Sequence, residues 1–133
     1  MTRNLTLPVR TVLAGLASAS FVFAAMTAQA AADAKNGAQL FMENCAVCHT
    51  AAKGEPNKIG PNLFGVVGRK SAIAPGYMYS PAMMKAGLTW DQPTLTVYLQ
   101  GPQKKVPGTK MGFPGFSDPS EEADVIAYLV SLK

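Results

Sequence analysis

Two cysteines and the only histidine of this 133-residue chain fall within five consecutive positions, Cys45-Ala46-Val47-Cys48-His49. A Cys-x-x-Cys-His run is the signature for covalent haem attachment, in which each thiol S–H adds across a vinyl double bond and the adjoining imidazole takes an axial position on the iron. On the last turn of a helix and its continuation, positions i, i+3 and i+4 share a side, so one porphyrin edge can meet all three. Two other chemistries use the same cysteine pair: a structural disulfide, common in exported proteins, and a thioredoxin-like dithiol. The dithiol wants a strand before the motif and a helix after it. Here helical periodicity precedes the motif and a Gly/Pro-rich stretch follows it, which favours haem.

With one histidine in the chain, bis-histidine ligation is impossible and methionine is the expected sixth ligand. Met1 and Met26 lie in an N-terminal signal-like segment, and Met42 is expected to pack in the core from the first helix. Met78, Met83, Met84 and Met111 remain. Met111 is preferred, because it lies between Lys110 and Gly112 in a Gly/Pro-rich loop, far enough along the chain to return over the other haem face.

Composition removes other functions. A four-ligand Cys/His zinc site cannot be assembled from two cysteines and one histidine. A Ser-His-Asp triad would have to take the histidine already placed beside the cysteines. The formal charge of +4 includes Arg3 and Arg10 in the signal-like segment, and without them the balance is near +2, which leaves nucleic-acid binding little electrostatic support. Residues 1–30 carry those arginines, an apolar stretch from Thr11 to Thr27 and the small-residue close Ala28-Gln29-Ala30, and so read as a cleavable export signal. An uncleaved N-terminal anchor is the alternative. Cleavage leaves residues 31–133 as one small domain in an oxidising compartment, the bacterial periplasm, with a core marginal by itself.

Three helices are expected to position the motif. Asp33 caps the first, which runs to about Cys45 with Gly37, Ala38, Phe41, Met42 and Cys45 on one face. Asp91 and Pro93 start the second, which presents Leu95, Tyr98 and Leu99 before Gly101-Pro102 stops it. Asp118 caps the last, with Pro119 in first position and Val125, Ile126, Leu129 and Leu132 as its buried stripe. Between them, Ala51–Tyr79 and Gln103–Ser117 read as long structured loops that need something other than themselves to pack around. There is no strand-like alternation of useful length and no internal repeat.

Taken in order, Cys45-Ala46-Val47-Cys48-His49, Gly60-Pro61-Asn62-Leu63-Phe64-Gly65-Val66-Val67-Gly68-Arg69-Lys70, Leu88-Thr89-Trp90, Tyr98-Leu99, Pro107-Gly108-Thr109-Lys110-Met111 and Ile126-Ala127-Tyr128-Leu129 resemble the class I cytochromes c, of the mitochondrial and bacterial c2-like type. The resemblance covers residues 33–133. It implies an all-α fold in which helices and long Gly/Pro-rich loops wrap one covalently attached haem c, with His49 and Met111 as axial ligands.

The same resemblance implies that the Pro61 carbonyl accepts a hydrogen bond from the ligand imidazole, and that Arg69, Tyr79 and Trp90 hold a buried haem propionate. It sets Tyr98 beside the methionine sulfur and Phe113 at the exposed haem edge, and it packs Gly37, Phe41 and Tyr128 where the first helix crosses the last. Three departures stand out: Met83 where many relatives carry an asparagine, Gln103 in place of one member of a lysine run, and Asp118 where relatives often have lysines. The implied function is a soluble, monomeric one-electron carrier, not an enzyme. It would shuttle between a membrane-bound donor such as a cytochrome bc complex and an acceptor such as a terminal oxidase or reaction centre. A small-gas-binding or peroxidase-like haem protein is the alternative, and it requires an open sixth position.

Overall fold

The computed structural model describes residues 31–133; the export-signal reading of residues 1–30, with Met1 and Met26, lies outside the described residues. Among the described residues five helices follow one another: α1 (Ala34–Asn44), α2 (Pro81–Ala86), α3 (Gln92–Gln100), α4 (Pro102–Lys105) and α5 (Pro119–Ser131). Among the described residues the only β pairing is an isolated antiparallel bridge between Lys70 and Thr89. No helix among them is long and apolar enough to cross a membrane.

The three long helices begin at aspartates whose side chains accept the orphan N–H groups of the first turn: Asp33 from Lys35 and Asn36, Asp91 from Thr94, and Asp118 from Ser120. The first and last helices cross at Gly37, where a Cβ would collide with the Asp124 backbone carbonyl, so only glycine permits the approach. Around that crossing Asp124 accepts from the Asn36 side chain at 2.8 Å and from the Asp33 backbone at 2.6 Å. Phe41 meets Tyr128 with ring centroids 5.3 Å apart. Burying a phenylalanine side chain contributes about 1.5–3 kcal/mol, and Phe41 retains only 2% of its exposure.

Met42 does not join this core and is 68% exposed, contrary to the expectation from spacing. At about 100° per residue it lies roughly 140° round the helix from Gly37, whereas Leu40 and Phe41 flank Gly37 closely and take the buried face. Leu132 likewise falls just past α5 as a half-buried cap residue, its carbonyl accepting from Gly65 N–H.

Two short helices, α2 and α4, lie outside the elements that the sequence predicts. Ser80 caps α2 by accepting from Met83 N–H at 3.1 Å, Pro81 occupies its first turn, and Gly87 ends it in the left-handed region at φ 60°. The dipeptide Gly101-Pro102, read as a stop, is also a start: Pro102 opens α4, and the Val106 N–H closes that single turn on the Pro102 carbonyl. The long segment between α1 and α2 holds no helix and is tied by side chains instead. Asn62 donates to Thr50 Oγ1, Thr50 donates to the Pro56 carbonyl, and Asn57 donates to the Pro75 carbonyl.

Candidate cofactor site

The cysteine motif leaves α1 on its last turn. Cys45 N–H bonds the Phe41 carbonyl, and His49 N–H bonds the Cys45 carbonyl, so the helical path carries on through the motif and keeps the three reactive side chains together. All three line a cavity of about 380 Å³. The other seven residues singled out from the sequence, Pro61, Arg69, Tyr79, Trp90, Tyr98, Met111 and Phe113, line the same cavity.

His49 Nδ1 lies 2.7 Å from the Pro61 carbonyl oxygen, which can only accept, so Nδ1 carries the proton and the lone pair is left on Nε2. Burial lowers the imidazole pKa, and the Pro61 bond opposes that shift without reversing it. The ring is therefore neutral at pH 7 and available as a metal ligand. Burial, with the Cys48 charge as a smaller contribution, pushes the Cys45 thiol up to about 11. A dithiol redox catalyst needs the opposite, a nucleophilic sulfur with a depressed pKa. Both cysteines are free thiols.

Arg69, half-buried, spends two of its five N–H donors on the Phe64 and Asn62 carbonyls at 3.3 and 3.2 Å, and three remain for an anionic group. Tyr79 OH accepts from Ala74 N–H at 3.3 Å and keeps its own proton to donate. Trp90 packs on Tyr98 with ring centroids 4.8 Å apart. Tyr98, buried, shares a 3.1 Å hydrogen bond with Thr109, whose hydroxyl also accepts from Met111 N–H at 3.4 Å. Burial raises the Tyr98 pKa against the opposing effect of that bond, so the phenol stays protonated. Phe113 is half-buried and packs edge-on to Phe116 at 5.0 Å.

Of the four methionines left open by the sequence, Met78 and Met84 are 80% and 60% exposed and Met84 is absent from the cavity wall, as is Met78. Met83 and Met111 both line the cavity. Met83 is 5% exposed and presents a thioether to the cavity, so this part of the wall is apolar.

Residues 34–133 match the family model for cytochrome c. The chain belongs to the cytochrome c family. It is 54% identical over 101 residues to cytochrome c2 of Rhodopila globiformis, an alignment covering 76% of this chain and 94% of that protein. It is 50% identical over 97 residues to cytochrome c of Sesamum indicum, covering 73% and 87%. Among solved structures, cytochrome cH from Methylobacterium extorquens superposes with a TM-score of 0.70 at 51% identity, covering 74% of this chain and 98% of that one.

As a cytochrome c, the protein is an electron carrier and not an enzyme, works between redox partners, and has one covalently attached haem c as its cofactor. The cavity suits that group: a free thiol pair and a neutral imidazole stand together on an otherwise largely apolar wall, with Arg69 and Tyr79 donors still unspent. Two contributors escaped sequence reasoning. Gly60 lies in a matching stretch that assigns it no role, although its backbone sits against the His49 ring. The same holds for Thr109, although it joins Tyr98 to Met111; a hydroxyl two residues before a candidate ligand is the available signal.

Proposed function

We propose that Cys45 and Cys48 hold the haem through two thioether bonds, that His49 Nε2 and the Met111 sulfur are its axial ligands, and that the protein carries single electrons in the bacterial periplasm. The observation that carries this reading is the Pro61 bond to His49 Nδ1, which fixes the tautomer with a ligating nitrogen inside a cavity that also holds both thiols. Bound haem supplies a one-electron iron couple. The protein's own groups do the rest. Pro61 orients the imidazole and raises its basicity, and the apolar wall that includes Met83, Leu95 and Leu99 excludes water. Arg69, Tyr79 and Trp90 offer donors to the propionates. A methionine ligand raises the potential relative to bis-histidine ligation and leaves no position for substrate.

Export through a cleaved segment 1–30 is part of the proposal, and the match beginning at Ala34 leaves that segment outside the family domain. The donor would be a membrane-bound cytochrome bc complex and the acceptor a terminal oxidase or reaction centre, met by a monomer through the haem edge beside Phe113. The ligand assignment is tested on exported protein. Colour should stay with the polypeptide through acid-acetone extraction, and the near-infrared sulfur-to-iron band should vanish in Met111→Ala while surviving in Met83→Ala. Extractable haem refutes the thioethers. A band that survives Met111→Ala and is lost in Met83→Ala moves the ligand to Met83.

A further inference from the structure

We infer that Gln103 is a positioning residue for the Met111 thioether, an inference that rests on Met111 being an iron ligand. Its side-chain amide Nε2 donates to two carbonyls of the ligand loop at once, Thr109 O at 2.7 Å and Met111 O at 3.2 Å. Among the described residues, 110–115 make no backbone–backbone hydrogen bond; the nearest on either side are Thr109 N–H to the Val106 carbonyl and Phe116 N–H to the Leu99 carbonyl. Side chains therefore hold the segment. Thr109 Oγ1 takes the Met111 N–H, Lys110 Nζ reaches the Met78 carbonyl at 2.7 Å, and Gln103 supplies the bond to the Met111 carbonyl itself.

The base of this clamp is firm. Pro102, adjacent to Gln103, is among the most deeply buried residues, and Val106 at the other end of α4 is 5% exposed, so α4 cannot shift without opening the core. A neutral amide has two N–H donors on one nitrogen, which is what two neighbouring carbonyls require.

The test is imidazole binding to the ferric holoprotein, which must wait for Met111 to leave the iron. Gln103→Glu keeps the shape, suits the first turn of a helix and removes both donors; Gln103→Met removes them without adding charge. Both should bind imidazole about three- to tenfold faster and tighter than the wild type, as expected for two part-exposed hydrogen bonds, and both should retain the sulfur-to-iron band when no imidazole is present. Gln103→Lys, which still offers N–H donors, should stay within about twofold of the wild type. Unchanged imidazole binding in the first two variants overturns the clamp and leaves the Met111 ligand standing. So does a Gln103→Lys protein as fast as Gln103→Glu. A sulfur-to-iron band that persists in Met111→Ala removes the ligand assignment, and the clamp falls with it.

Discussion

Gly60 lays its backbone against the ring of His49, so closely that a Cβ there would stand 2.7 Å from Nδ1 and 2.8 Å from Nε2. Real side chains do not approach that near, so either the imidazole turns or the chain between Cys48 and Pro61 moves. Both outcomes strain the His49–Pro61 bond, since Gly60 N–H is itself tied to the Cys48 carbonyl at 2.7 Å. Gly60→Ala is expected to cost about 2 kcal/mol as an overpacked core substitution and to lower the thermal midpoint of the holoprotein by about 10 °C. Calorimetry and the Soret spectrum check it; an unaltered melt and spectrum would show that the loop absorbs the methyl group freely.

Why Gly60 escaped local reasoning bears on what a sequence reveals. Asp33, Asp91 and Asp118 announce α1, α3 and α5, because an acceptor side chain followed by apolar periodicity is a signal contained in a few neighbouring residues. Ser80-Pro81 has the same start chemistry, but six residues are too few to show a period, so α2 was silent. At Gly101-Pro102 two meanings of one dipeptide coincide, and only the burial of Pro102 reveals that a second helix begins there. The cofactor-binding chemistry was legible because Cys45, Cys48 and His49 are adjacent in the chain. Gln103 and Gly60 act through backbone atoms brought near by folding, and no local pattern encodes such a contact.

Glu122 gives a pH-dependent prediction. The residue is 3% exposed; Gln100 reaches Oε1 only at 3.5 Å, and Oε2 has no partner among the described residues. Burial raises its pKa above the ordinary glutamate value, with the Gln100 bond opposing. Between the unfolded and the raised folded value, the native state keeps a proton that the unfolded chain has lost, so this group's contribution to stability falls as pH rises through that window. Above that window the half-satisfied carboxylate is ionised and is a net cost. Glu122→Gln should therefore stabilise the holoprotein at pH 7 by about 1 kcal/mol, the lower end for an unsatisfied buried polar group, and by much less at pH 4. Urea unfolding at the two pH values decides it: an equal effect at both would assign the change to packing and not to charge.

The surface around the cavity mouth mixes apolar and cationic groups, and their tethering decides which charges are free to steer a partner. Val47 and Ile59 line the cavity and are 72% and 75% exposed. Lys58 and Lys110 both place Nζ 2.7 Å from a backbone carbonyl, of Ala46 and Met78 respectively, so their charges are fixed close to the protein. Lys104 and Lys105 are exposed on α4, the element that also holds Gln103. Exposed charges act over roughly 8 Å at physiological salt, and such a patch speeds encounter with an acidic surface without changing the haem. Electron transfer to a purified membrane-bound redox partner should slow as salt rises, and Lys104→Glu with Lys105→Glu should lower the second-order rate constant about three- to tenfold at low ionic strength. That difference should close at about 0.5 M salt, with the visible spectrum unaltered throughout. A rate constant indifferent to both salt and charge reversal would show that contact through Val47, Ile59 and Phe113 governs docking, with the lysines serving only as solvated surface.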